Sequence, residues 1–335
     1  MRTRLIAAVV ALLLLAGCSP AATPASSPSG TAELPTPTIG LTYIPNVQFS
    51  PFYVAEADHD FTTAGVAPTL RHHGTSEGLF TAIAAGEEQF VVAGGDEMLQ
   101  ARAQGLDLVA VSAYYRSYPV VVIVPANSPV HSLADLKGHS IGIPGKYGES
   151  WFGLQVALHT AGLSESDVQV KEIGYTQQAA LTTAKVDAIV GFSNNEAVQF
   201  GLAGFATRSL PIASGTVPLV GASLITTADY AKANPAVVKA VVAGMLAGIT
   251  TTVTDPAHTL DASASYVPGL SGTAAQTAAK ATLAATNALW TTSSGAVDGS
   301  FEATQWTEMA DFMAAQGLTA QRVDPTPAFS NAYLG

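Results

Sequence analysis

The side chains here that could do chemistry are aromatic rings and a few polar groups placed after candidate strands. Tyr114, Tyr115 and Tyr118 fall within five residues, and such rings offer a flat ligand stacking area at little entropic cost. Asn46 follows a proline and Asp96 follows the Gly94-Gly95 pair. Each is placed to meet a ligand edge, or equally to shape a turn or cap a helix. His72 and His73 are adjacent, so on a strand they face opposite sides. No carboxylate at ligand spacing completes a metal site with them, and neither a metal nor a cofactor is expected. A carboxylate pair such as Asp96 with Glu196, assembled across a cleft, would suit acid–base work, but hydrogen bonding to a ligand explains it more simply. With no Gly-x-Ser-x-Gly elbow, HExxH motif or P-loop, an enzyme is not expected.

Composition narrows the classes further. The 335 residues are 48% hydrophobic and 12% charged, with a net charge of −11, which allows a large core and leaves no basic patch for nucleic acid. The single cysteine, Cys18, excludes a disulfide framework and a cysteine-based zinc site. It closes Leu15-Ala16-Gly17-Cys18, after Arg2, Arg4 and an apolar run too short for a comfortable membrane span. Residues 1–17 read as a lipoprotein signal peptide with lipid attachment at Cys18. The Ser/Pro/Ala/Thr-rich stretch 18–38 reads as a flexible tether.

Positioning these groups takes α/β units. Strands are expected at Ile39–Tyr43, Pro68–His72, Gln89–Val92 and Leu108–Ser112, with helices between them, among them Gly74–Ala85 capped by Ser76. Ser50 is a candidate N-cap, with Pro51 at the first helical position. Val120–Val124 reads as one more strand before a crossover at Pro125–Pro129. In Ser132–Trp151 a strand, Ser140–Ile143, breaks at Pro144-Gly145 and leads into a helix from Gly148 to Ala161. Its first N–H groups then face a crevice beyond a strand end, where α/β sheets hold ligands. Tyr147, Gly148 and Ser150 are therefore candidate site residues, or a plain αβ turn. Further strands are expected at Val168–Ile173, Val186–Val190, Ala206–Leu210 and Ala222–Thr226, and the tail is alanine-rich and helical, including Asp261–Tyr266. The fold class is thus α/β: two lobes of parallel-dominated sheets flanked by helices and joined by two crossovers. Lobe one takes 39–124 and 216–335, lobe two 125–215. Trp290 and Trp306 read as packing anchors between helices and lobe, or as rings approaching the cleft.

"LTYIPNVQFSPFYVAEADHDFTTAGV", "FVVAGGDEMLQARAQGLDLVAVSAYY" and "SLADLKGHSIGIPG" resemble the periplasmic-binding-protein family that includes binders of thiamine pyrimidine precursors, alkylsulfonates, taurine and riboflavin. The resemblance covers roughly residues 39–250. It implies a type II-like two-lobed fold whose cleft is lined by the Asn after Pro, the glycine-rich turn and nearby aromatics. Here the matching positions are Asn46, Gly94, Gly95 and Asp96, with Phe49 and Tyr115 as candidate cleft aromatics. "VDAIVGFSNNEAVQ" is similar to the family segment in which a glutamate accepts hydrogen bonds from the ligand. That position is Glu196, beside Asn195; from the residues alone Asn194 or Asn195 would cap a helix whose dipole Glu196 meets. Asn195 stands where the pyrimidine binders have an aromatic, and "GIPGKYGESWFGL" looks closer to the riboflavin branch. The resemblance implies an extracytoplasmic, lipid-anchored, monomeric receptor of an ABC importer, with a permease and an ATPase as partners and a flat N-heterocycle as ligand. A sulfonate receptor, with the anion on the helix N-terminus near Gly148, and a secreted pyrimidine-modifying enzyme are the alternatives.

Overall fold

The structure, a computed structural model, describes residues 33–73, 77–213 and 217–335. The signal peptide and Cys18 lie outside the described residues, as do Gly74–Ser76. Within 34–335 the chain builds two five-stranded sheets. The first has the order β2-β1-β3-β10-β4: β1 (Thr38–Leu41), β2 (Thr69–His72), β3 (Phe90–Gly94), β4 (Leu108–Ala113) and β10 (Ala222–Thr227). The second has the order β7-β6-β8-β5-β9: β5 (Val120–Pro125), β6 (Ser140–Ile143), β7 (Gln169–Glu172), β8 (Ala188–Phe192) and β9 (Thr207–Pro211).

Each sheet is parallel except for one strand. β10 runs antiparallel to β3 and β4, and β5 antiparallel to β8 and β9. These are the strands by which the chain enters a sheet from the other one. Their partners run towards the inter-sheet gap, so a strand that starts at the gap must run away from it. The expected boundary of lobe one at residue 124 is therefore corrected: Val120–Pro125 is the first strand of the second sheet. The first crossover is 114–119, which carries the tyrosine run, and not Pro125–Pro129. The tether is also shorter than 18–38, because the Pro35 and Pro37 carbonyls accept hydrogen bonds from Ala67 and Thr69.

Burial on both faces of the strands follows from helices on both sides. Along β3, Val91 and Ala93 enter one core, while Phe90 and Val92 enter another. The helices in chain order are α1 (Ser50–Ala57), α2 (Asp60–Ala64), α3 (Thr81–Ala85), α4 (Gly95–Ala103), α5 (Gly148–Thr160) and α6 (Gln177–Thr182). Then come α7 (Glu196–Leu202), α8 (Ala228–Ala233), α9 (Pro235–Thr254), α10 (Pro256–Ser263), α11 (Thr273–Trp290) and α12 (Ala303–Ala315). Three local expectations change. Phe49 holds the N-cap of α1, whereas Ser50 lies inside the helix and its Oγ meets Ser263 Oγ at 2.7 Å. In the described part of 74–85 only Thr81–Ala85 is helical, and the tail helix expected at Asp261–Tyr266 runs over Pro256–Ser263 instead.

α9 is long and apolar enough to cross a membrane by length and composition, yet its glycines press it onto α1 and α2. A Cβ on Gly248 would stand 1.9 Å from the Pro51 carbonyl oxygen, and one on Gly244 2.3 Å from the Phe61 ring. It is a core helix of the first lobe.

Candidate functional site

The cleft opens where the two sheets face one another, beyond the carboxyl ends of their parallel strands. Its empty volume is about 810 Å³ including the open mouth, within the usual range for small-molecule sites. Thr42 and Tyr43 follow β1, Glu97 opens α4 after β3, and Tyr114 and Tyr115 follow β4. From the second sheet, Pro144 and 147–150 follow β6, Tyr175 and Gln177 follow β7, and Phe192, Asn195 and Glu196 end β8 or open α7.

Of the residues singled out in the sequence, Phe49, Tyr114, Tyr115, Tyr147, Gly148, Ser150, Asn195 and Glu196 line this cleft, and Tyr118 does not. Asn46 does not: its side chain accepts the Gln48 N–H at 3.0 Å and starts the short turn that delivers Gln48 and Phe49. Gly94 and Asp96 lie beside the cleft, and Asp96 is fully buried. The carboxylate that Asp96 meets from the other lobe is Glu149, not Glu196. Trp290 is buried behind the wall, 6.1 Å from the Tyr114 ring and 6.3 Å from Tyr115. Trp306 packs on Phe329 and is no part of the site. His72 accepts or donates between Tyr53 Oη (2.8 Å) and the Tyr43 carbonyl (2.9 Å), and so fixes the backbone at Tyr43. His73 faces Glu88 instead.

The lining residues absent from the sequence-based set are chiefly Tyr43, Glu97, Glu149, Tyr175, Gln177 and Phe192. Tyr43 and Tyr175 are the first aromatics past the ends of β1 and β7, so the strand-end rule would have found them. Across the gap their rings meet edge to face at 4.7 Å. On the other side of the gap Asn194 Nδ2 donates to Thr286 Oγ1 on α11 at 3.0 Å.

Two glycines set the loop after β6. Gly148 has φ of 67°, a left-handed conformation that side chains resist. At Gly145 a Cβ would stand 2.2 Å from the Tyr147 ring, so its absence lets that ring fold into the wall. Lys146 turns outward, paired with Glu165 and lying 5.2 Å above the Trp151 ring.

Electrostatically the site is acidic. Glu97, Glu149 and Glu196 line it, and no lysine, arginine or histidine does so among the described residues. Burial pushes all of these carboxyls upward. Asp96 is raised to about 7 by burial, and Glu97 and Glu149 well above the usual range by burial and then by one another or by Asp96. Glu196 is raised by burial, opposed by the Phe192 N–H on its Oε2 (2.8 Å) and Asn195 Nδ2 on its Oε1 (3.0 Å). Such a wall stacks a flat ring and accepts hydrogen bonds from its edge.

Known proteins resemble this chain in both sequence and fold. The riboflavin-binding protein RibY of Chloroflexus aurantiacus is 31% identical over 344 residues, covering 97% of this chain and 96% of that protein. A formylaminopyrimidine-binding protein of Halalkalibacterium halodurans is 25% identical over 58% of this chain and 57% of that one. Among solved structures, the alkanesulfonate-binding protein SsuA of Xanthomonas axonopodis, bound to MOPS, superposes with a TM-score of 0.67 at 23% identity, covering 90% and 99% of the two chains. A sequence profile described as NMT1/THI5 like matches residues 46–259. The chain therefore belongs to the NMT1/THI5-like family of solute-binding proteins and has the periplasmic-binding-protein fold.

Proposed function

We propose that this chain captures riboflavin, or next to it a thiamine pyrimidine precursor, and delivers it to an ABC permease driven by an ATPase. The observation that carries this reading is the cleft wall, aromatic from both sheets and acidic without a cationic side chain among the described lining residues. A flavin ring fills such a wall, and its ring N–H and ribityl hydroxyls donate to carboxyl oxygens. An anion finds no lysine, arginine or histidine to pair with among the described lining residues. The sulfonate alternative needs the N-terminus of α5 free for the anion, but Glu149 sits in the first turn there and lines the cleft. The 31% identity to a riboflavin-binding protein supports the same choice. In this reading the receptor is a monomer outside the cytoplasm, held at the membrane by lipid on Cys18, and it alters no bond in its ligand.

Titration of riboflavin fluorescence against the purified chain tests it, with flavin mononucleotide, hydroxymethylpyrimidine, formylaminopyrimidine and taurine followed by thermal shift. Riboflavin should be quenched saturably and the mononucleotide bound far more weakly, because its phosphate would be buried where no cationic side chain lines the cleft among the described residues. A response to a pyrimidine alone moves the assignment to the precursors, and a response to taurine alone overturns it. Recovery of a chemically altered pyrimidine would favour the enzyme alternative. Cys18→Ala should move the chain from the detergent phase to the aqueous phase.

A further inference from the structure

Beside the cleft, three carboxylates meet across the gap between the lobes. Asp96 and Glu97 open α4 on the first sheet's side, and Glu149 opens α5 on the second's. One oxygen from each lies within 4.8 Å of the others. Oxygens bound to one calcium ion at their usual distances are at most about 5 Å apart, so the spacing suits a single ion.

Three observations separate this cluster from an ordinary acidic patch. Asp96 is 0% exposed and its Oδ2 accepts no hydrogen bond of normal geometry, and the Oε1 atom of the half-buried Glu149 is likewise shielded from solvent and unpartnered. The oxygens also form a cradle over Gly94, where a Cβ would stand 2.3 Å from Asp96 Oδ1, 2.9 Å from Glu149 Oε1 and 3.1 Å from Glu97 Oε2. Gly94 has φ −62° and ψ 141°, which any residue adopts, so it is space that calls for glycine. Finally, no lysine, arginine or histidine pairs with the three among the described residues. The groups that do face them are the Glu97 N–H on Asp96 Oδ1 (2.8 Å), the Gly94 N–H on Glu97 Oε2 (3.0 Å) and the buried Tyr118 hydroxyl, whose neighbour is Asp96.

We propose that Asp96, Glu97 and Glu149 together hold one calcium-class divalent cation that ties the two lobes together beside the ligand cleft. Carboxylate oxygens are the ligands such hard ions take. Buried like charges on two lobes repel one another, and a dication turns that repulsion into a bridge. Because the ligands come from both lobes, the full set exists only when the lobes are together. Cation and solute must then raise each other's affinity by the same factor.

The test uses calcium alone, without any solute, so its outcome is independent of the ligand assignment. The full chain is stripped with chelator, and calcium is added while heat and melting temperature are followed. A saturable one-site heat and a rise in melting temperature are expected, with manganese as a second probe and magnesium weaker. Glu149→Gln and Asp96→Asn should each lower the calcium affinity about tenfold or more, since even partners that merely support metal ligands contribute that much. Glu165→Gln, an exposed carboxylate of the second lobe, should leave it unchanged. Absence of any saturable response in the unaltered chain overturns the proposal, and the carboxyls then carry protons instead. So does an undiminished response in a Glu149→Gln chain whose circular dichroism matches that of the unaltered protein.

Discussion

Glu196 shows how much a single side chain is asked to do. Both its oxygens already accept a hydrogen bond from its own segment, one from the Phe192 N–H and one from Asn195, yet each keeps a second acceptor direction. Glu196→Gln should weaken an N–H-donating ligand by about 1–3 kcal/mol by calorimetry, the scale of a hydrogen bond to a charged group. Unchanged affinity would remove Glu196 from recognition. Burial raises its carboxyl above the usual range, so its contribution to stability is present at low pH and is lost as pH rises through the raised value. Ligand acceptance needs the ionised form and runs the other way: affinity should fall as pH drops through that value. A pH profile of binding that persists in Glu196→Gln would place the titration elsewhere. Tyr175 is the better probe of stacking, being half-buried where Tyr115 is 5% exposed and part of the core. Tyr175→Ala should reduce riboflavin quenching by about 0.5–1.5 kcal/mol or more while the melting temperature without ligand stays put.

At the scale of elements, close approach decides more than helix propensity. α9 carries Gly244 and Gly248 where α2 and α1 cross it. Glycine weakens an isolated helix, but here it permits backbone contact that no side chain would allow. Gly248→Ala should destabilise the chain by about 1–3 kcal/mol through overpacking, read from the urea midpoint. No loss of stability would mean that α9 can slide away from Pro51. The loop before α5 works by the same rule in reverse, with Gly145 clearing space so that the Tyr147 ring joins the cleft wall.

At the scale of the molecule, the two crossovers run side by side. A Cβ on Gly221 would stand 2.9 Å from the Tyr115 carbonyl oxygen and 2.8 Å from that of Ser117, so the hinge strands touch where the tyrosine run leaves β4. Lobe closure is a two-position equilibrium in such folds, and ligand shifts it by its differential affinity. The Asn194–Thr286 hydrogen bond spans the gap between fully buried side chains. Thr286→Val should therefore lower solute affinity by about 0.5–1.5 kcal/mol and leave the free chain more extended in small-angle scattering. Lower affinity with an unchanged scattering curve would show that the bond serves the site directly and not closure.

All ten strands were legible from sequence: the central ones are short apolar runs bounded by proline, glycine or polar residues, and the edge strands Thr69–His72, Gln169–Glu172 and Thr207–Pro211 are more polar but fall where the βα alternation calls for a strand. The rule that ligands sit beyond strand ends pointed to Tyr115, Tyr147 and Gly148, and the family resemblance to Phe49, Asn195 and Glu196; all six line the cleft, and their contact with a ligand is a proposal. The tertiary structure alone decided three things. Val120–Val124 reads the same in either sheet, since a strand buried on both faces has no polar side to declare its neighbours; its antiparallel partners β8 and β9 moved it to the second lobe. Asn46 and Asp96 were open between capping and ligand contact, because a polar residue at a turn looks alike in both roles. Folding gave Asn46 the cap and buried Asp96. The meeting of Asp96 and Glu97 with Glu149 joins residues some fifty positions apart, from two sheets. No periodicity or spacing encodes such a contact, since it exists only once the lobes face each other.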